Sequence, residues 1–142
     1  MTLNTASLPS TPNEPRHWSE VPHAPAPGTV LGQFGALADG SATMLEIANP
    51  NVTGPAPAFR YLLLRSGHEV KAYVNRCAHF GVPLAARQDL LLYQPHGRIT
   101  CNVHYAHYRW SDGLCTAGDC EGESLLVIPV AIDADGTIRI AP

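Results

Sequence analysis

Residues 59–84 of the chain read FRYLLLRSGHEVKAYVNRCAHFGVPL. Two runs rich in leucine, valine and aromatic residues, FRYLLLR (59–65) and EVKAYVN (69–75), flank a turn-like Ser-Gly-His, which predicts a β-hairpin. A thiol and an imidazole, Cys77 and His79, follow the second run directly. They are therefore expected on a loop at the end of a strand, where a rigid sheet positions loop side chains.

The rest of the chain is divided into similar short runs. Gln-Pro-His-Gly separates one pair of runs and Asp-Gly another, and both are turn sequences. No window has a sustained helical period, although residues 83–89 can hold one short helical turn. This pattern predicts an all-β fold, an antiparallel sandwich or barrel. The further predicted strands are residues 43–48, 90–93, 98–101, 107–110, 124–132 and 137–140.

The N-terminal segment has a different composition. Six of the 13 prolines lie between Pro9 and Pro27, with few large apolar residues. Residues 1–27 are therefore predicted to be a proline-rich arm that is flexible or lies along the surface, and residues 28–142 a single domain. Trp18 is the exception, and we expect it to anchor the arm on the domain.

The overall composition excludes several classes of function. The formal net charge is −3 and Lys71 is the single lysine, so binding to nucleic acid through its phosphates is not expected. No apolar run approaches the roughly 18 residues that cross a bilayer, and the N-terminus lacks a signal-peptide pattern. The chain is therefore predicted to be cytoplasmic, where cysteines are more often metal ligands or plain thiols than disulfides.

A second soft-ligand pair, Cys101 and His104 in CNVH, follows another predicted strand. Two thiolates and two imidazoles suit either tetrahedral zinc or a [2Fe–2S] cluster with mixed ligands. Each loop supplies its cysteine before its histidine. Facing loops would therefore place the thiolates on one side and the imidazoles on the other, which favours the cluster. The remaining alternative is a set of unrelated core thiols and surface imidazoles.

These loops resemble the ligand loops of the Rieske family. The stretches that carry the resemblance are CAHFGVPL (77–84), CNVHYAHYRWSDG (101–113) and GDCEGESLLVIPVAI (118–132). The resemblance implies a Rieske-type [2Fe–2S] cofactor. It also implies a fold of two antiparallel β layers, with the cluster loops forming a small subdomain at the tip.

By this resemblance, the inner iron is held by Cys77 and Cys101, and the outer iron by His79 and His104. The histidines lie near the surface in the family, so electrons leave through the imidazole edge. Phe80, Gly81, Val82 and Pro83 are expected to form an apolar collar around that edge, with the partner docking over the two histidines.

The chain departs from the family pattern in ways that bear on the reduction potential. Valines stand where high-potential members carry a disulfide between the loops, and Ala106 stands where they carry a serine that donates to a bridging sulfide. Tyr108 is retained and is expected to donate to the Cys77 sulfur. Losing one donor and keeping the other predicts a potential in the lower half of the Rieske range of about −150 to +300 mV.

Two further positions carry expectations. Tyr105 replaces the glycine that usually follows the second histidine. A glycine there tolerates positive φ, which a tyrosine does not adopt cheaply. Cys115 and Cys120 can form a local disulfide or a second metal pair, but the favoured interpretation is two plain thiols.

The resemblance implies a soluble ferredoxin that passes one electron from a flavin-containing reductase to a terminal oxygenase. A Rieske oxygenase also needs a large domain with a mononuclear iron, for which this sequence leaves no room. The chain is therefore expected to be an electron-transfer component with no substrate site of its own. The alternatives are the small subunit of an assimilatory nitrite reductase and a zinc-stabilised β interaction module.

Overall fold

The computed structural model describes residues 15–48, 58–78, 81–102, 105–118 and 120–142, and the structural statements below concern those residues. Three one-turn 3-10 helices accompany the strands, at Trp18–Glu20, Phe34–Ala36 and Gln88–Leu90. The strands in chain order are β1 (Val30–Gln33), β2 (Ala42–Ala48), β3 (Ala58–Ser66), β4 (Glu69–Val74), β5 (Leu92–Gln94), β6 (Arg98–Thr100), β7 (His107–Arg109), β8 (Cys115–Ala117), β9 (Val127–Ile128), β10 (Val130–Ile132) and β11 (Thr137–Ile140).

These strands form three antiparallel sheets. The central sheet has the order β9-β4-β3-β2, a second has the order β10-β11-β1, and a third has the order β5-β6-β7-β8. The predicted all-β antiparallel fold is confirmed. No helix in the described part of the chain has the length and apolar character needed to cross a membrane.

Strand β3 explains the apolar run at the start of residues 59–84. Successive side chains of a strand point to opposite faces of the sheet. Tyr61 and Leu63 pack into one buried cluster, shared with the β10-β11-β1 sheet, while Leu62 and Leu64 pack into another, shared with the β5–β8 sheet. Both faces of the central sheet are therefore covered, which requires a continuous apolar run and not an alternating one.

The predicted hairpin at the centre of the fold is confirmed. In the pairing of β3 with β4, Arg65 lies opposite Val70 and Ser66 opposite Glu69, which leaves a two-residue turn. Gly67 has a φ of 61°, a conformation that glycine adopts without strain. Strand β4 ends at Val74, three residues before Cys77.

The prediction of one continuous strand over residues 124–132 is wrong, because the region holds two short strands. Pro129 divides it into β9, which pairs with β4, and β10, which pairs with β11 of another sheet. Proline has no N–H to give to a ladder, so it marks the point where the chain changes sheets. Strands β1 and β8 were not predicted. The short helical turn that was expected within residues 83–89 corresponds to Gln88–Leu90, which overlaps the end of that range.

The β5–β8 sheet is inserted between two neighbouring strands of the central sheet. Val127 of β9 lies directly opposite Tyr73 of β4, although the whole β5–β8 unit separates them in sequence. The Tyr73 hydroxyl donates to the backbone oxygen of Trp110 at 2.8 Å, which fastens the inserted unit to the central sheet. This unit is the small tip subdomain that the resemblance implies.

Part of the predicted N-terminal arm is described. Trp18 is 5% exposed and packs into the cluster between the central and β10-β11-β1 sheets, as expected for an anchor. Residues 1–14 of the arm lie outside the described residues, so the proposed boundary at residue 27 stays a prediction.

Candidate metal centre

The first ligand loop is a tight turn that begins at Cys77. The Cys77 backbone oxygen accepts from the Gly81 N–H at 2.9 Å, and the Cys77 N–H donates to the Val82 oxygen at 2.7 Å. Gly81 has a φ of 72°. These two bonds bring Gly81 and Val82 back beside Cys77.

The second ligand loop repeats this geometry. The Cys101 backbone oxygen accepts from the Tyr105 N–H at 2.9 Å, and the Cys101 N–H donates to the Ala106 oxygen at 2.8 Å. Tyr105 has a φ of 60°, so it adopts the left-handed conformation in spite of its side chain. The two loops are therefore equivalent turns, each with its cysteine as the first residue.

A backbone bond joins the two loops, and a side-chain bond holds the first loop in place. The Asn102 N–H donates to the Leu84 oxygen at 2.8 Å, and the Leu84 N–H donates to Asn75 Oδ1 at 2.8 Å. Asn75 is only 4% exposed. Sequence reasoning missed Asn75 as a loop-positioning residue, because a single asparagine after a strand also fits an ordinary turn.

Both cysteines lie in the interior of the tip. Cys77 is 2% exposed and Cys101 is fully buried, and the two belong to the same buried cluster. Ala106 lies in that cluster and has no hydroxyl to offer. Two soft sulfur donors at the start of equivalent, tied loops fit one side of a mixed-ligand [2Fe–2S] cluster.

The other predicted ligands, His79 and His104, lie outside the described residues, as does Phe80 of the expected collar. Within the described ranges, no group of three or more Cys, His, Asp or Glu side chains is arranged to hold a metal ion. The structure therefore shows where Cys77 and Cys101 lie, and the assignment of all four residues as cluster ligands stays a prediction.

Tyr108 on β7 reaches the first loop, as the resemblance implied. Its hydroxyl lies 3.3 Å from Cys77 Sγ and accepts from the Ala78 N–H at 3.0 Å. Burial, together with the hydrogen bond to Cys77, raises the pKa of the Tyr108 hydroxyl well above its ordinary value. The hydroxyl therefore stays protonated near neutral pH and can donate its hydrogen to sulfur.

The favoured interpretation of Cys115 and Cys120 as plain thiols is wrong. They form a disulfide, with their Cα atoms 5.9 Å apart. It closes the loop after β8, where Gly118 packs on Ala106 so closely that a Cβ there would lie 3.0 Å from the Ala106 Cα. The Tyr108 hydroxyl also lies 3.3 Å from Cys120 Sγ, so this disulfide is part of the surroundings of the site.

Two apolar side chains of the loops face solvent. Tyr105 is 62% exposed and Val82 is 37% exposed, and Pro83 beside it is half-buried. The Val82 part of the expected collar is therefore at the surface, with Tyr105 on the other loop.

The fold resembles solved Rieske proteins. The ferredoxin of carbazole 1,9a-dioxygenase from Nocardioides aromaticivorans IC177 superposes with a TM-score of 0.60 at 20% identity, over 82% of this chain and 99% of that one. The terminal oxygenase of carbazole 1,9a-dioxygenase from Novosphingobium sp. KA1 gives 0.61 at 20% identity, over 81% of this chain. This chain spans 31% of that oxygenase chain. No curated protein matches the sequence.

The family assignment rests on the sequence itself. Residues 37–132 match the Rieske [2Fe-2S] domain, which is more than half of the 142-residue chain. The matched region contains both ligand loops, Tyr108 and the Cys115–Cys120 disulfide. The chain is therefore a member of the Rieske [2Fe-2S] domain family, whose cofactor is the Rieske-type cluster.

Proposed function

We propose that the chain is a one-electron carrier that passes electrons from a flavin-containing reductase to a terminal oxygenase. The observation that carries this proposal is the pair of equivalent, buried cysteine turns in a fold that spans nearly the whole of a dioxygenase ferredoxin. Cys77 and Cys101 are the proposed ligands of the inner iron, with His79 and His104 on the outer iron. When bound, the cluster supplies a centre that accepts and releases one electron.

The residues around the proposed cluster protect its sulfur ligands and adjust its reduction potential. Burial of Cys77 and Cys101 keeps water from the sulfur side, so the ligands on that side are not exposed to oxidants in solvent. The Tyr108 hydroxyl donates to Cys77 Sγ, and a donor to a ligand sulfur stabilises the more negative, reduced state. With alanine at position 106, the serine donor of high-potential members is absent, which supports a low-to-intermediate potential.

The partner assignment draws on complexes of similar proteins. Solved complexes between the oxygenase and the ferredoxin of carbazole 1,9a-dioxygenase include chains that match this fold at 21% identity, with a TM-score of 0.59 over 80% of this chain. For this protein we propose an oxygenase that docks over the two histidines, against exposed Val82 and Tyr105. The chain would act as a cytoplasmic component with no substrate site of its own.

The proposal is tested first by electron paramagnetic resonance of the dithionite-reduced protein, with iron and zinc measured on the same sample. We expect two irons per chain and a rhombic signal with an average g value below that of the free electron. A colourless, silent protein that holds one zinc would overturn the electron-carrier function and leave a structural module.

The second step is a transfer assay with the purified protein. A flavin reductase reduces the chain, and a Rieske oxygenase from the same organism reoxidises it under single-turnover conditions. We expect reoxidation by the oxygenase and slow reoxidation by unrelated acceptors. Transfer to a nitrite reductase in place of the oxygenase would assign the chain to that enzyme instead.

A further inference from the structure

Four cysteines share one buried cluster in the tip. Cys77, Cys101, Cys115 and Cys120 are each exposed by 2% or less and belong to the same set of packed side chains. Two of them begin the ligand loops, and the other two form the disulfide. The disulfide is therefore inside the surroundings of the proposed cluster and not at a distant surface site.

The Tyr108 hydroxyl joins the two pairs. It lies 3.3 Å from Cys77 Sγ and 3.3 Å from Cys120 Sγ, and it accepts from the Ala78 N–H at 3.0 Å. A phenol has one hydrogen to donate and can accept two. Beside a thiolate ligand and a neutral disulfide sulfur, that hydrogen goes to the thiolate, because a charged acceptor makes the stronger bond.

We propose that the Cys115–Cys120 disulfide is a thiol–disulfide site that tunes the cluster through the Tyr108 hydroxyl, so that opening it raises the midpoint potential. The proposal rests on the proposed function. The reductant it requires is a dithiol, either a small molecule or a protein. The dithiol gives two electrons and two protons to the disulfide, forms its own disulfide, and leaves a thiol at each of the two cysteines.

The direction of the shift follows from the hydrogen bonds. In the disulfide, Cys120 Sγ has no hydrogen. As a thiol it gains one, and the second acceptor position of the Tyr108 oxygen lies within its reach. Two donors to that oxygen polarise its O–H and strengthen the bond that it donates to Cys77 Sγ. The reduced cluster is then stabilised relative to the oxidised one, and the potential rises.

The loop that carries the disulfide shields both sulfur atoms from solvent. Both sulfur-bearing residues are buried, while Glu121, Gly122 and Glu123 on the same loop are exposed. A dithiol can therefore reach the sulfurs only after this loop opens.

The experiment compares two double variants of the cluster-loaded protein that both lack the disulfide. Cys115→Ala with Cys120→Ser keeps a donor toward the Tyr108 oxygen, whereas Cys115→Ala with Cys120→Ala has none. Their midpoint potentials are measured by redox titration, followed by circular dichroism in the visible range. We expect a higher potential in the serine variant, and no difference between the two when each also carries Tyr108→Phe.

The last part of the experiment uses the wild-type protein. Thiol counting on the aerobically purified protein should find the Cys115–Cys120 pair oxidised, and opening the pair with a dithiol should move the potential upward. Equal potentials in the serine and alanine variants would overturn the proposal, and so would a difference that survives Tyr108→Phe, or a wild-type protein with both thiols reduced. A protein without iron would instead overturn the proposed function, so the two failures are distinguished by metal analysis.

Discussion

Gly81 and Tyr105 occupy the same position in the two cysteine turns. Each donates its N–H to the backbone oxygen of the cysteine four residues earlier, at 2.9 Å in both loops, and each has a positive φ, 72° and 60°. Glycine adopts this conformation at no steric cost, whereas a residue with a side chain is strained there. The second loop therefore carries backbone strain that the first avoids.

Replacing Tyr105 should stabilise the fold. The left-handed conformation costs an ordinary residue about 1–2 kcal/mol, and Tyr105→Gly removes this cost while adding roughly 0.5–1 kcal/mol of chain entropy to the unfolded state. We expect a net increase of about 0.5–1 kcal/mol in the free energy of unfolding, measured by urea denaturation. Because the Tyr105 side chain is 62% exposed, little packing is lost.

The matched control is the opposite change at the equivalent position. Gly81→Ala would force a side chain into positive φ and place its Cβ 2.9 Å from Arg76 Nη2. It should destabilise by about 1–2 kcal/mol. If Tyr105→Gly lowered stability instead, the exposed tyrosine would be making contacts that outweigh the strain.

Removing the Tyr108 hydroxyl should lower the midpoint potential. Tyr108→Phe deletes one hydrogen bond to Cys77 Sγ, worth about 1 kcal/mol, which corresponds to about 40 mV for a one-electron couple. The measurement is a redox titration of the cluster-loaded protein. Tyr61→Phe is the control, because the buried Tyr61 hydroxyl donates to the Leu31 oxygen, away from the cysteines, and should leave the potential unchanged.

The strand-end loops were predictable because the information is local. The apolar runs around the Ser-Gly-His turn predict the β3–β4 hairpin, and Cys77, directly after it, lies at the strand end. The contact between Tyr108 and Cys77 followed from the family resemblance, which supplies spatial neighbours that a single sequence lacks.

The features that were missed depend on contacts between distant parts of the chain. Pro129 is a local signal for a break in the strand, but nothing local indicates that β9 pairs with β4 while β10 pairs with β11. The disulfide is another case, because the spacing of Cys115 and Cys120 permits either a bridge or the two plain thiols that were favoured. Only the fold of the loop, which brings the two Cα atoms to 5.9 Å, decides between them.

The turn after β7 should make a small contribution to acid stability. The Arg109 guanidinium donates to both carboxylate oxygens of Asp112, at 2.9 and 2.6 Å, and with the Leu114 N–H it lowers the pKa of Asp112 from 3.8 to about 2. A depressed folded-state pKa stabilises the protein above the unfolded value, and this contribution is lost as the pH falls through about 2.

Asp112→Asn should therefore remove part of the loss of stability between pH 4 and pH 2, as measured by thermal melting. Both side chains of the pair are about half exposed, so the effect should be small and should shrink at high salt. Glu46→Gln removes one charge from a looser pair, 3.7 Å from Arg60, and serves as the control. An acid profile of Asp112→Asn that matches the wild type at low salt would show that the pair adds nothing.

Asn75 should control how firmly the first loop is held. Asn75→Ala leaves the Leu84 N–H without its acceptor in a buried position, which costs about 1–3 kcal/mol. We expect faster loss of the cluster in the presence of an iron chelator, followed by visible absorbance. Asn102→Ala is the control, because its side chain donates to the Leu90 oxygen at 3.1 Å in a half-buried position and its loss should have a smaller effect. Equal rates for both variants would contradict a special role for Asn75.

The histidine half of the site is tested by His79→Cys. If His79 binds the outer iron, the change replaces a neutral imidazole by a thiolate and adds a negative charge to the centre. The extra electron is then disfavoured, and the midpoint potential should fall toward the value of about −400 mV seen for all-cysteine plant-type clusters. His107→Cys is the matched control, since His107 lies on β7 of the same tip and is not a proposed ligand. If His79→Cys kept the parent potential while retaining two irons, His79 would not be a ligand, and the outer iron would have to be held by another residue.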